Sequence, residues 1–241
     1  MTTAGFNLSK FLHLLFFSFI GALALTTLAA CGSNAVAVKK YDRIQTDSAA
    51  AMTLTITKVQ RPWYAFRPLI VGRFKGAIPE HEKIPGLFFK SFSLTQNHNS
   101  FGGIYVWQSE TDAKNWFNDA WFARTKKEYG EGTVEYFQIL RIRRIAELSQ
   151  PENSYWSALS MSETKIDLNA TGLLQVIEVK EIGAKETNGQ VDRGGTLTLW
   201  NTEADAKTYF EKNAAALTYF DTPVLIDKLK LSNNVPTTIA R

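Results

Sequence analysis

The chain has 241 residues, of which 45% are hydrophobic, 12% aromatic and 21% charged. That supplies the apolar core of one large domain or two small ones and excludes a disordered or collagen-like polymer. Its 27 basic and 23 acidic side chains leave a formal net charge of +4, too mild to mark a nucleic-acid-binding surface, and its single cysteine excludes an internal disulfide.

Residues 1–30 carry no acid and one basic side chain, Lys10, and the stretch from Phe11 to Ala30 is apolar apart from His13, Ser18, Thr26 and Thr27. A short basic region, an apolar run and small residues at a cleavage point are the parts of a secretory signal. The end of the run, Leu28-Ala29-Ala30-Cys31, resembles the lipobox of bacterial lipoproteins. That resemblance implies a diacylglyceryl group on the Cys31 thiol, cleavage just before it and anchorage in the cell envelope. Gly32 follows where an Asp would signal retention in the inner membrane, which implies the outer membrane of a Gram-negative cell. A transmembrane anchor with a chance cysteine is the alternative, but no basic cluster follows the run directly. Residues 31–51 read as a lipidated tether, small and polar with little periodicity.

Downstream, Met52, Leu54 and Ile56 alternate with threonines, as in a half-buried strand. Helical spacing of Phe66, Leu69, Ile70 and Phe74 predicts a helix over 64–76, with Gly76 as its stop. Strands are predicted at 87–95 and 103–108, joined by the polar hairpin loop 96–100. Ser109 reads as a helix cap with Asp112 completing an imperfect capping box, and the helix buries Ala113, Trp116, Phe117, Ala120 and Trp121 before Gly130 and Gly132 stop it. The strand from Val134 to Ile142 carries Val134, Tyr136, Leu140 and Ile142 on one face and Phe137 and Ile139 on the other. Beyond it, Ser154 to Met161 reads as a short helix with no clear strand before it. Strands follow at 172–182 and 195–200. A helix over 202–219 is capped by Thr202 and directs Ala206, Tyr209, Phe210, Ala214 and Leu217 inward, and a last strand spans 223–231.

Two segments repeat one pattern. Trp107 begins WQSETDAKNWF and Trp200 begins WNTEADAKTYF, each after a Gly-Gly pair and a short apolar run. A repeat of this size implies two similar units, placed at 52–146 and 147–241, the second degenerate at its start unless the segment 134–146 serves both. The expected fold class is α+β: tandem ferredoxin-like units, antiparallel sheets with helices on the outer faces, pairing as a pseudo-dimer within one monomeric chain.

Pro85-Gly86-Leu87-Phe88-Phe89-Lys90, then Phe101-Gly102-Gly103-Ile104-Tyr105-Val106-Trp107 and Ser109-Glu110-Thr111-Asp112-Ala113, resemble the YdhR-like mono-oxygenase family of the dimeric α/β-barrel, ferredoxin-like superfamily. The resemblance covers about 52–145 and, more weakly, 172–235. It implies a fold shared by cofactor-free oxygenases of quinol-like aromatics, haem-degrading enzymes and binding proteins, and it brings no catalytic set residue by residue. In the second unit Gln175 stands where Phe89 or Lys90 stands in the first, and Thr196-Leu197 replace Ile104-Tyr105. Any active pocket is therefore expected in the first unit.

Cleavage before Cys31 leaves His81 and His98, neither in a zinc-binding pattern, and no G-x-S-x-G, phosphate loop or dinucleotide fingerprint is present. No metal or cofactor is expected; for a haem-binding variant His98 is the axial candidate. The candidate pocket residues are Tyr64, Phe89, Lys90, His98, Trp116 and Trp121, with Trp116 equally readable as core. Arg141, Arg143 and Arg144 form either a basic patch toward anionic lipid or a solvated strand end. Two functional classes stand side by side. One is an envelope module binding a small apolar or aromatic ligand or a protein partner. The other is a cofactor-independent mono-oxygenase, with Tyr64, Lys90 or His98 taking a proton from the substrate. Cys31→Ser is expected to release the chain from the membrane fraction; retention after cell fractionation would refute the lipobox reading.

Overall fold

The computed structural model describes residues 51–162, 164–183, 194–211 and 217–229. The predicted leader 1–30, Cys31, the predicted tether up to residue 50, Ala214 and the end of the predicted strand 223–231 lie outside them. The described elements are, in chain order, β1 (Thr53–Gln60), α1 (Arg67–Glu82), β2 (Leu87–Thr95), β3 (Ser100–Trp107), α2 (Glu110–Trp116), α3 (Asp119–Tyr129), β4 (Gly132–Arg144), β5 (Tyr155–Ser160), β6 (Leu173–Glu181), β7 (Gly194–Trp200), α4 (Glu203–Glu211) and β8 (Leu217–Asp227).

All eight strands close into one antiparallel barrel in the order β1-β3-β2-β8-β5-β7-β6-β4, with β4 returning to β1. This corrects the expected tandem ferredoxin-like units with a sheet apiece and helices over their outer faces. An open four-stranded sheet exposes two rows of unpaired backbone groups. Here the edge of β2 is taken by β8 and the edge of β4 by β6, so no edge is left between the halves. Within this ring the strands of each half follow one order, β4-β1-β3-β2 and β8-β5-β7-β6.

Period-2 alternation sorts the strand residues. Leu54, Ile56, Phe89, Ile104, Val106, Phe137, Ile139, Tyr155, Leu159, Ile177, Val179, Leu197 and Leu199 meet inside the barrel and fill it, leaving a void of only about 10 Å³. The opposite faces carry three further clusters. Ile70 and Phe74 of α1 pack on Phe92, Leu94, Val224 and Ile226, joining β2 to β8. Ala113 and Phe117 pack on Leu87, Tyr105 and Trp107, and Ala206 and Phe210 pack on Ala158, Leu173, Val176 and Trp200.

Several elements differ from expectation. Ser154–Met161 is not a helix: residues 155–160 form β5, hydrogen-bonded to β7 and β8. Tyr155 and Leu159 are four apart, which fits a helix face and a strand face alike, and pairing on both sides decides the matter. α1 runs on to Glu82, through Gly76 and Pro79. The helix predicted after Ser109 is two, because Phe117 leaves helical geometry and Asn118 caps α3 through its side chain to the Trp121 N–H. Of the helix predicted over 202–219, the described residues show α4 over Glu203–Glu211, and Leu217 already belongs to β8. A register shift between Ile139 and Arg141 turns Leu140 out to solvent and returns Ile142 to the inner face beside Ile139. Arg144 is no part of a basic patch: its guanidinium holds Asp227 through two bonds of 2.6 and 3.2 Å and donates to Gln175, while Arg141 and Arg143 face Glu178.

One construction occurs twice. Ser109 Oγ accepts from the Asp112 N–H at 3.1 Å and donates to its carboxylate at 2.6 Å; Thr202 and Asp205 repeat this at 3.1 and 2.7 Å. Each aspartate lies against a glycine with positive φ, Gly86 at +70° and Gly172 at +77°, where a Cβ would stand 2.6 and 2.3 Å from the carboxylate carbon. Gly86→Ala and Gly172→Ala should each destabilise the fold by about 2 kcal/mol, read as a lowered midpoint in urea denaturation.

Candidate functional site

The outer face of the first half's wall is only partly covered. α1 and α3 stand apart over β1, β2 and β3, and between them lies a cavity of about 400 Å³. Alternation along β2 sends Phe89 inward and Lys90 outward into this cavity, beside its cross-strand partner Tyr105. Gly103 leaves room for it, because a Cβ there would stand 3.3 Å from Lys90 Cε and 3.1 Å from the Tyr105 ring.

Lys90 is 3% exposed. Its Nζ sits 3.7 Å from the Phe92 ring centroid and 4.6 Å from that of Tyr105. Among the described residues no carboxylate forms an ion pair with it. Burial pushes the amine well below the ordinary lysine value, with the charge of Glu80 pulling the other way. Burial also raises the Tyr105 phenol, against a hydrogen bond with Thr57, so Tyr105 stays protonated.

His81 is the second base. Its Nδ1 lies 2.9 Å from the Ala77 carbonyl, which can only accept, so Nδ1 carries the proton and the neutral ring keeps its lone pair on Nε2. The ring packs edge-on to Phe92 and Trp116 at 5.2 and 5.7 Å. Burial first, and then the charge of Lys90, lower its pKa to about 4. Trp116 Nε1 is buried and has no hydrogen-bond partner among the described residues.

Of the six predicted pocket residues, Tyr64, Lys90, Trp116 and Trp121 line this cavity. Phe89 points into the barrel. His98 sits on the β2–β3 hairpin with φ +53°, its Nε2 3.6 Å from Asp221, away from the cavity. Phe74, His81, Phe92 and Tyr105 also line it and were not singled out from the sequence. A signal existed for His81: Ile70, Phe74, Ala77 and His81 continue one helical face past Gly76.

The other half does not repeat the chemistry. Leu173 and Gln175 pair with Trp200 and Leu199 across the same irregularity that Leu87 and Phe89 make against Trp107 and Val106. Gln175 therefore matches Phe89, Val176 matches Lys90 and Thr198 matches Tyr105, which moves the expected correspondence of Thr196-Leu197 by one residue.

Two solved structures place this geometry among known folds. The chain is similar to an anthrone oxidase-like protein, with 10% identity, a TM-score of 0.50, and 78% of this chain and 98% of that one covered. It is also similar to a "putative monooxygenase" from Fusobacterium nucleatum subsp. nucleatum, with 10% identity, a TM-score of 0.51, and 76% and 97% covered. The chain thus shares the overall fold of these two proteins. No family profile matches it, and neither does any curated protein sequence.

The buried imidazole makes stability depend on pH. Between about pH 4 and 6.5 the unfolded chain binds a proton at His81 that the folded chain refuses, so stability falls as pH is lowered through that window. The loss should reach about 2 kcal/mol by pH 4, and His81→Phe should flatten that part of the urea midpoint-against-pH curve.

Proposed function

We propose that this chain is a lipid-anchored protein of the cell envelope, held in the outer membrane through Cys31, that binds a small apolar or aromatic ligand in the cavity of its first half. The observation that carries this reading is the cavity itself: aromatic walls around a buried amine that no carboxylate pairs among the described residues. A flat ring fits between Phe92, Trp116 and Trp121, and a polar substituent on it finds Lys90 and His81 Nε2. The doubled cap-and-glycine construction and the shared strand order support a chain made of two copies of one unit, the second with Val176 and Thr198 where the first has Lys90 and Tyr105. In that reading the chain completes its barrel alone, as a monomer.

A second reading is cofactor-independent mono-oxygenation of a quinol-like aromatic. The neutral His81 imidazole favours it, since a quinol must lose a proton before its ring gives an electron to dioxygen, and Nε2 offers a lone pair inside an apolar pocket. The haem-binding variant has no such support, because its axial candidate His98 does not line the cavity.

Native mass spectrometry of the protein purified gently from its own cells tests the binding reading. A monomer carrying an aromatic-sized adduct is expected. Ala77→Phe, which fills the cavity, should lower occupancy by tenfold or more, while His81→Ala, which removes one polar contact and opens space, should lower it by less. Oxygen uptake with the bound compound, lost in His81→Ala, would move the assignment to the oxygenase. A bare monomer, or a dimer, would overturn the pocket reading or the single-chain barrel respectively.

A further inference from the structure

The entrance to the cavity carries aromatic side chains that extend beyond its lining. Between β1 and α1 the chain turns through Arg61-Pro62-Trp63-Tyr64-Ala65-Phe66. Trp63 is 92% exposed, Phe66 59%, Tyr64 54% and, one turn into α1, Leu69 37%. The turn is held in place. Ala65 is buried, its N–H donates to Pro62 O at 2.9 Å, and Arg61 reaches the Ala65 carbonyl with its guanidinium at 2.9 Å and Asn99 O with its backbone N–H at 2.9 Å. The aromatic side chains are therefore displayed by an anchored backbone, with Trp63 edge-on to Tyr64 at 5.8 Å.

Charge identifies the occupant. No acidic residue lies between Asp47 and Glu80, while Arg61, Arg67, Arg73 and Lys75 fall within 61–76. Arg67 is taken by buried Asp221, through bonds of 2.6 and 3.1 Å, so that carboxylate offers no negative charge to the face. Glu80 on α1 and Glu128 on α3 are the carboxylates among the cavity-lining residues, against Arg73 and Arg124. Exposed tryptophan, tyrosine and phenylalanine beside cationic side chains suit the boundary between anionic headgroups and acyl chains, where the amphipathic rings bury their apolar part and the cations stay at the phosphates.

We propose that the turn 61–66, with Leu69 and Arg73 of α1, forms a membrane-docking face of the folded domain, separate from its N-terminal anchor, that seats the barrel on an anionic lipid surface with the cavity mouth against the bilayer. Tyr64 and Leu69 belong both to this face and to the cavity lining, so a docked domain exchanges an apolar ligand directly with the lipid phase.

The test uses the full chain reconstituted into vesicles of phosphatidylglycerol and phosphatidylethanolamine carrying a shallow brominated lipid. Bromine quenches tryptophan only at the bilayer, and the difference between the parent and Trp63→Phe isolates Trp63. Both carry the same N-terminus, so the readout is independent of how the chain is anchored, and Cys31 fractionation reports on that separately. The expected result is a quenched Trp63 component that Arg73→Glu lowers severalfold, while Lys75→Glu, on the opposite side of α1, lowers it much less. It should also be lost in phosphatidylcholine vesicles. An unquenched Trp63, or quenching indifferent to lipid charge, would overturn the proposal. So would a protein cross-link at Trp63 in cells without quenching in vesicles, which would assign the face to a protein partner.

Discussion

The pairing of β8 with β2 and of β6 with β4 is the constraint on which the rest of the molecule depends. Each half of the chain supplies four strands whose outer edges would otherwise present bare amide and carbonyl groups. Closure satisfies all of them at once and turns two sets of alternating side chains into one filled interior. The two buried or partly buried Arg–carboxylate forks reinforce this closure, since both hold β8: Arg67 to Asp221 and Arg144 to Asp227. Each salt link needs a bidentate geometry to offset the loss of water, and each has it. Because the barrel interior is filled to within a void of about 10 Å³, the cavity that holds Lys90 lies outside it, where α1 and α3 stand off the wall.

The cavity gains its character from the same alternation. A strand that must place Phe89 inside places Lys90 outside, under α1 and α3, where water is scarce. The aromatic rings of Phe92 and Tyr105 give the ammonium some compensation through their faces, while burial favours the neutral amine. A lysine in that balance is sensitive to whatever enters beside it. In the other half Val176 and Thr198 stand at the matching positions, so the geometry recurs there without the chemistry.

Part of this was legible in the chain. The strands β1, β2, β3, β6 and β7 follow from alternation and turn residues, and the caps at Ser109 and Thr202 from the spacing of hydroxyl and acid. Four of the cavity residues followed from clustered aromatics and the resemblance around Lys90. What failed did so for physical reasons. Ser154–Met161 has a spacing that suits two periods, and only its neighbours β7 and β8 choose the strand. Ile142 follows a register shift at Leu140 that moves it from the face of Val134 and Tyr136 to that of Phe137 and Ile139, and such a shift leaves no mark in composition. His98, polar and next to asparagines, looked available, but its loop places it over Asp221.

By itself the sequence determined an apolar stretch followed by a lone cysteine, a doubled pattern of glycine, tryptophan and capped helix, and an aromatic-rich first half. These are local properties, set by period, spacing and side-chain type. Only the tertiary structure decided that eight strands close on one another, that Phe89 faces the core while Lys90 faces a cavity, and that His81 joins it from a helix that runs past its glycine. Those outcomes depend on which distant strand saturates an open edge. That choice belongs to the whole chain, because backbone hydrogen bonding on both sides of a strand is never encoded in the strand alone.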